Sequence, residues 1–142
     1  MANSEFETLK DDFEFIDDWE ERYKYVIELG KNMPALPADE QSDEFKVHGC
    51  VSQVWIKSQF PTDDNGVQRL QFLGDSDAMI VRGLVAILRI LYNDQPLEDV
   101  TKLDAVAELA ALGLNDHLTP QRSNGLNSMI KRLQADAVKA TA

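Results

Sequence analysis

The chain begins with apolar residues spaced to form one face of a helix. Within residues 5–15 they recur three and four positions apart, at Phe6, Leu9 and Phe13, and mostly acidic or polar residues lie between them. Residues at this spacing share one side of an α-helix. The pattern therefore predicts a short amphipathic helix.

Residues 17–32, DDWEERYKYVIELGKN, predict a second helix with signals at both ends. Asp17 or Asp18 suits the N-cap, and Gly30 followed by Lys31 is typical of a helix end. The helical spacing predicts a buried stripe made of Trp19, Tyr23, Val26 and Ile27. A loop with two prolines, MPALPADEQSDEF, then leads toward the single cysteine of the chain.

The pattern changes from helical spacing to alternation in the middle of the chain. Apolar and polar positions alternate over residues 54–60, which predicts a strand ended by Pro61. Residues 63–66, Asp-Asp-Asn-Gly, favour a hairpin because Asn-Gly accepts the positive φ angles of tight turns. Residues 67–73 are then the predicted returning strand.

Helical patterns return after residue 73. Residues 74–77, Gly-Asp-Ser-Asp, predict a turn in which Asp75 and Asp77 act as capping residues. The long apolar helix that follows covers residues 78–92, with Arg82 and Arg89 as a polar stripe.

The C-terminal third predicts further helices. Pro96 begins a short helical segment, and residues 103–112 form an Ala/Leu-rich helix stopped by Gly113. Thr119-Pro120 is a cap followed by an N1 proline. The core face of the last helix is predicted to comprise Leu126, Met129, Ile130 and Leu133. A central hairpin between groups of helices predicts an α+β fold, a small antiparallel sheet packed against several helices, in a single domain over residues 1–142.

Composition and charge exclude several classes of function. The 142 residues carry a net charge of −11, which disfavours binding to nucleic acid and to anionic lipid surfaces. The polar N-terminus lacks a signal-peptide pattern, and residues 78–92 are too short and too charged to span a bilayer. One cysteine cannot form an internal disulfide. We therefore expect a cytoplasmic protein whose partners are other proteins.

Cys50 is the main candidate for chemistry, although buried cysteines often serve as small apolar filler. Zinc or iron–sulfur sites usually take several Cys or His ligands, and this chain has one Cys and two His. A cysteine hydrolase would need a base such as His48 or His117, and neither lies in a motif typical of thiol hydrolases. Covalent carriage of sulfane sulfur needs one cysteine alone.

Four segments resemble the SufE family of sulfur acceptors, which includes the CsdE proteins. GCVSQVW around Cys50 is similar to the family motif Gly-Cys-x-Ser-Gln-Val-Trp. WEERYKYVIELGK resembles the N-terminal helix of the family, GDSDAMIVRGLVAIL its central turn and helix, and HLTPQRSNGLNSMI its last helix. These segments occur in the family's order and cover most of the chain between Phe13 and Leu133.

The resemblance implies a function for Cys50. It would accept persulfide sulfur from a SufS/CsdA-type cysteine desulfurase, stimulate that enzyme, and pass the sulfur to a SufBCD-type iron–sulfur scaffold. Pyridoxal phosphate would belong to the desulfurase, and this chain would bind no cofactor or metal. It would act as a covalent sulfur-transfer protein rather than an independent enzyme, with an α+β fold shared with IscU-type scaffolds. Homodimerisation stays open, and so does an alternative: a non-covalent adaptor or regulator of a desulfurase whose cysteine is structural.

Arg122 is the second candidate residue. It lies in the first turn of the last predicted helix, where a positive charge opposes the helix dipole, and it belongs to the family's LTPxRSxGL block. A solvated surface arginine is the competing interpretation. His48 stands outside the family motif, and Trp55 is expected to serve packing. A carrier would also shelter its sulfur in an apolar niche, with Val51, Val54 and the helix over residues 78–92 as predicted walls.

Overall fold

The α+β prediction is confirmed by a computed structural model that describes residues 4–49, 52–114 and 118–141. Helices on both sides of a hairpin in sequence pack around one apolar core. In chain order the elements are α1 (Ser4–Phe15), α2 (Trp19–Asn32), a 3-10 turn (Ala38–Glu40), β1 (Val54–Gln59), β2 (Gln71–Ser76), α3 (Met79–Tyr92), α4 (Leu97–Lys102), α5 (Ala105–Ala110) and α6 (Pro120–Thr141). Among the described residues, no helix combines the length and hydrophobicity needed to cross a membrane.

The first helix is buried along the predicted face. Phe6, Leu9 and Phe13 are the buried residues of α1. In α2 the carboxylate of Asp18 accepts a hydrogen bond from the backbone N–H of Glu20 at 3.0 Å, which confirms a predicted cap. In the predicted stripe of α2, Val26 is fully buried, whereas Trp19, Tyr23 and Ile27 are partly exposed. The stripe is therefore less buried than predicted.

Gly30 has a different role from the predicted helix end. The helix continues to Asn32, and Gly30 lies where α2 crosses α3. A Cβ on Gly30 would lie 2.8 Å from the backbone nitrogen of Gly83, and one on Gly83 would lie 2.3 Å from the carbonyl oxygen of Val26. The two glycines therefore let the helix backbones approach each other more closely than any side chain would permit.

The hairpin forms where predicted, but its second strand lies further along the chain. The two strands are antiparallel, with Val54 opposite Ser76 and Gln59 opposite Gln71. The returning strand was predicted over residues 67–73, but β2 covers Gln71–Ser76. Residues 74–76 therefore belong to the strand rather than to a turn. Gly74 fits the strand because a Cβ there would lie 2.5 Å from the side chain of Val85.

The C-terminal helices occur in the predicted order, and the Ala/Leu-rich helix is shorter than predicted. The Ala/Leu helix covers Ala105–Ala110 because Asp104 caps it, accepting a hydrogen bond from the N–H of Ala107 at 3.1 Å. Gly113 follows with a φ of +77°. The predicted core face of α6 is confirmed by the burial of Leu126, Met129, Ile130 and Leu133.

Arg82 of α3 joins three parts of the fold. Its Nη1 donates to the carboxylate of Asp75 at 2.9 Å, its Nε to the carbonyl of Gly30 at 2.7 Å, and its Nη2 to the carbonyl of Met33 at 3.0 Å. Asp75 is only 4% exposed and also accepts from the backbone N–H of Leu36 at 3.3 Å. Asp75 was predicted to cap α3 and instead is the buried member of an ion pair with the partly exposed Arg82.

The helix crossing generates a stability prediction. Replacing glycine by alanine inside a helix normally stabilises it by about 1 kcal/mol. We expect Gly83→Ala to do the opposite and lower the free energy of unfolding by about 1–3 kcal/mol, because its Cβ meets the backbone of Val26. Urea unfolding followed by circular dichroism measures the change.

Asn127→Ala, at an exposed position of α6, is the matched control. It should change the unfolding free energy by no more than about 0.5 kcal/mol. A Gly83→Ala protein as stable as the wild type would contradict the proposed reason for glycine at this crossing.

Candidate functional site

Cys50 and Val51 lie outside the described residues, which include the segments on both sides of them. The N–H of Val47 donates to the carbonyl of Val54 at 2.8 Å, and Lys46 forms an antiparallel bridge with Trp55. Residues 48–53 therefore connect two segments that are hydrogen-bonded to each other. We call residues 48–53 the cysteine loop.

Gly49 fixes the first side of the cysteine loop. Its φ is +93°, a conformation that favours glycine over residues with a Cβ. A Cβ at this position would also lie 2.6 Å from the hydroxyl oxygen of Ser128 in α6. The residue before the cysteine thus lies against α6 in a backbone conformation that accounts for the Gly-Cys sequence.

Gln53 fixes the other side of the loop. Its N–H donates to the carboxylate of Asp77 at 3.0 Å, and its carbonyl accepts from the hydroxyl of Ser76 at 2.7 Å. The N–H of Asp77 also donates to that carbonyl at 3.3 Å. Asp77, predicted as a capping residue of α3, therefore holds the chain three residues after the cysteine.

A cavity of about 220 Å³ opens beside the cysteine loop. Val81 and Leu84 of α3 and Met129 of α6 form an apolar part of its wall, and all three are buried. Ser52, two residues after the cysteine, contributes to the lining. The arrangement provides a partly apolar space bordered by Ser52 of the loop and by two helices.

Arg122 lines the same cavity. It lies in the first turn of α6, where Thr119 Oγ1 accepts the N–H of Arg122 at 3.2 Å and so caps the helix. Arg122 is exposed, and among the described residues it forms no ion pair. The fold thus brings together Ser52 and Arg122, which are 70 positions apart in the sequence.

The other residues singled out in the sequence are distributed differently. His48 is exposed and is not among the lining residues, and His117 lies outside the described part of the chain. Trp55 is 8% exposed and packs in the core as expected. Within residues 4–49, 52–114 and 118–141, no group of three His, Cys, Asp or Glu side chains could hold a metal ion.

The predicted walls of the niche stay a prediction, because Cys50 and Val51 lie outside the described residues, but α3 does line the cavity beside the loop. Val54 is fully buried but does not line the cavity, whereas Met129 and Gly125 of α6 do. The sequence assigned Met129 to the core by its spacing alone. Its second role could not be predicted, because nothing in the local pattern indicates where α6 packs relative to the cysteine loop.

Comparisons with known proteins agree with this fold. A family model described as "SufE: Fe-S metabolism associated domain" matches residues 7–137. An uncharacterized SufE-like protein of Rhizobium meliloti is 48% identical over 127 residues, which cover 89% of this chain and 90% of that protein. A SufE-like protein of Rhizobium etli is 49% identical over 134 residues, covering 93% of this chain and 89% of the other.

A solved structure shares the fold. The solution structure of a hypothetical protein from Thermus thermophilus matches with a TM-score of 0.78, covering 99% of this chain and 98% of that one. At 21% identity this likeness shows the fold alone.

The α+β fold with its held cysteine loop thus falls in a class of proteins associated with iron–sulfur metabolism. The chain belongs to the SufE family, and the resemblance of its four segments is confirmed. Members of this family generally interact with cysteine desulfurases.

Proposed function

We propose that the protein accepts sulfur on Cys50 from the persulfide of a SufS/CsdA-type cysteine desulfurase and carries it to a SufBCD-type scaffold. Family membership supports the reaction class. The observation that carries the proposal is the cavity, which adjoins the cysteine loop at Ser52 and has buried apolar side chains in its wall. Pyridoxal phosphate belongs to the desulfurase in this proposal.

The transfer is a thiol–disulfide type of exchange that needs no external oxidant. The Cys50 thiolate attacks the terminal sulfur of the partner's persulfide, a new S–S bond forms, and the partner's cysteine leaves as a thiolate. The product on Cys50 is a persulfide, and the proton lost by the Cys50 thiol is available to the departing thiolate. The chain's own contribution is to present Cys50 and to shelter the product.

The apolar wall suits the shelter of a persulfide between transfers. Exposed, low-pKa sulfur species are the ones most open to oxidation and exchange. Val81, Leu84 and Met129 offer no competing thiol and no acid–base group. A sulfur held against them would be exposed less to small thiols than one in free solution.

Arg122 is proposed to stabilise the thiolate during transfer. A guanidinium near a thiol favours the ionised form, which is the nucleophile. Arg122 lines the cavity and has no ion-pair partner among the described residues, so its charge is available. Its place in the cavity lining together with Ser52 supports a functional role over the solvated-surface interpretation.

Intact-mass spectrometry tests the carrier function directly. After incubation with a SufS-type desulfurase and cysteine, the protein should gain about 32 Da per sulfur, and a thiol reductant should remove the gain. Peptide mapping should place the added mass on Cys50.

Cys50→Ser is the matched control, and it separates the carrier from the adaptor. It should gain no mass and should lose stimulation of the desulfurase. A Cys50→Ser protein that still stimulates the enzyme fully would favour the non-covalent adaptor, and added sulfur on any other residue would refute the carrier assignment.

Arg122→Ala tests the second residue. We expect an unchanged melting temperature, since an arginine in the first turn of α6 opposes the helix dipole, together with an initial rate of sulfur acceptance at least about tenfold lower. Rapid-quench mass spectrometry measures the rate.

Lys131→Ala removes a positive charge from an exposed position further along α6 and is the matched control. It should accept sulfur at the wild-type rate. If Arg122→Ala also does so, Arg122 is a solvated surface residue.

A further inference from the structure

The corner between α1 and α2 is firmly anchored. The N–H of Ile16 donates to the carbonyl of Phe13 at 3.2 Å, and the Nε of Arg22 donates to the carbonyl of Ile16 at 2.5 Å. Asp18 caps α2 from within the same corner. The side chains of this corner are therefore presented from a backbone held at several points.

Phe15 projects from this anchored corner and is 88% exposed. It is the most exposed of the large apolar side chains among the described residues. A single exposed apolar side chain is common on protein surfaces and needs no explanation. Phe15, however, lines a groove of about 590 Å³ together with Ile16 and Tyr25. The groove surface is mostly apolar.

The groove keeps its apolar character because Tyr25 is locked. Its hydroxyl donates to the carboxylate of Asp12 at 2.7 Å, and its ring packs edge-on against Phe13 at 5.5 Å. Burial and this hydrogen bond raise the pKa of Tyr25 to about 12. The ring therefore forms a fixed apolar wall.

The border of the groove is strongly acidic. Asp17, Asp18, Glu21 and Glu28 are among the lining residues, with Lys24 as the one basic member. Lys24 is paired with Glu21 at 3.2 Å. Residues 4–28 contain ten Asp or Glu and three Lys or Arg, a net charge of −7 out of −11 for the whole chain.

We propose that this corner groove, centred on Phe15, is a docking surface for a cationic amphipathic segment of a partner protein. The Phe15 ring would pack against apolar side chains of the partner segment. Lysine or arginine side chains of that segment would pair with the acidic residues at the border of the groove. Charge complementarity selects this occupant, because the same border repels anionic lipid surfaces, nucleic acid and a second copy of the chain.

The corner groove is separate from the site of the proposed sulfur chemistry. It is formed by the α1–α2 corner, whereas the cavity is formed by the cysteine loop, α3 and α6, and the two share no lining residue. Docking at the corner groove therefore does not depend on sulfur carriage by Cys50.

NMR titration of the full-length ¹⁵N-labelled protein tests the proposal. The probe is a 14-residue amphipathic peptide of Leu, Lys and Ala, and its counterpart with Glu in place of Lys is the negative control. We expect saturable shifts confined to residues 12–28, weakened by raising NaCl from about 50 to about 500 mM. The Glu peptide should cause none.

Phe15→Ser should weaken binding of the Lys peptide at least about tenfold, since one buried phenylalanine ring contributes about this much or more. Its melting temperature should not change, because the side chain makes little contact in the free protein. Val138→Ser, at a 57% exposed valine of α6, is the matched control and should bind like the wild type.

Four results would overturn the proposal: no binding, equal affinity of the two variants, shifts scattered over acidic residues elsewhere, or equal binding of the Glu peptide. Concentration-dependent shifts at residues 12–28 without peptide, lost in Phe15→Ser, would identify a second copy as the occupant. Binding to zwitterionic lipid vesicles, lost in the same variant, would identify a lipid surface. Either would also refute docking of a cationic protein segment.

Discussion

The ion pair between Arg82 and Asp75 is the contact on which the remaining structure depends. Arg82 reaches the last turn of α2 and the start of the following loop through two backbone carbonyls, and it reaches β2 through the Asp75 carboxylate. A buried carboxylate is costly without a charged partner, and Asp75 is buried while Arg82 is partly exposed. These bonds therefore fix α2, α3 and β2 relative to one another, and the glycines at the α2–α3 crossing make the required close approach possible.

The same elements position the candidate site. The residues that follow Asp75 in the chain, Ser76 and Asp77, hold Gln53 at the end of the cysteine loop. The helix that contains Arg82 also supplies two apolar residues of the cavity wall, Val81 and Leu84. The ion pair and the site thus share one short stretch of chain, so the geometry around the cysteine loop follows from the packing of the core.

Periodicity predicted the helices well because the spacing of apolar residues along the sequence shows directly which face of a helix is buried, as in α1 and α6. It misplaced β2, since Gly74 and Asp75 are typical turn residues, and a buried aspartate is acceptable in a strand only because Arg82 of the following helix pairs with it. Gly30 was misread for a similar reason: its importance lies in a helix about 50 residues away. The motif made Cys50 and Arg122 the candidate residues, but the sequence could not predict the cavity between Arg122 and the cysteine loop, because that cavity depends on how α3 and α6 pack.

The central proposal is that the cavity beside the cysteine loop shelters the sulfur of Cys50 until a desulfurase binds and makes it accessible. The most direct measurement is the rate at which iodoacetamide alkylates Cys50, followed by intact mass, in the native isolated protein, in the urea-unfolded chain and in the complex with desulfurase. Burial raises a thiol's pKa and limits access. The account predicts alkylation at least about tenfold slower in the native protein than in the unfolded chain, and markedly faster alkylation when the desulfurase is bound. Equal rates in the native and unfolded protein would contradict it.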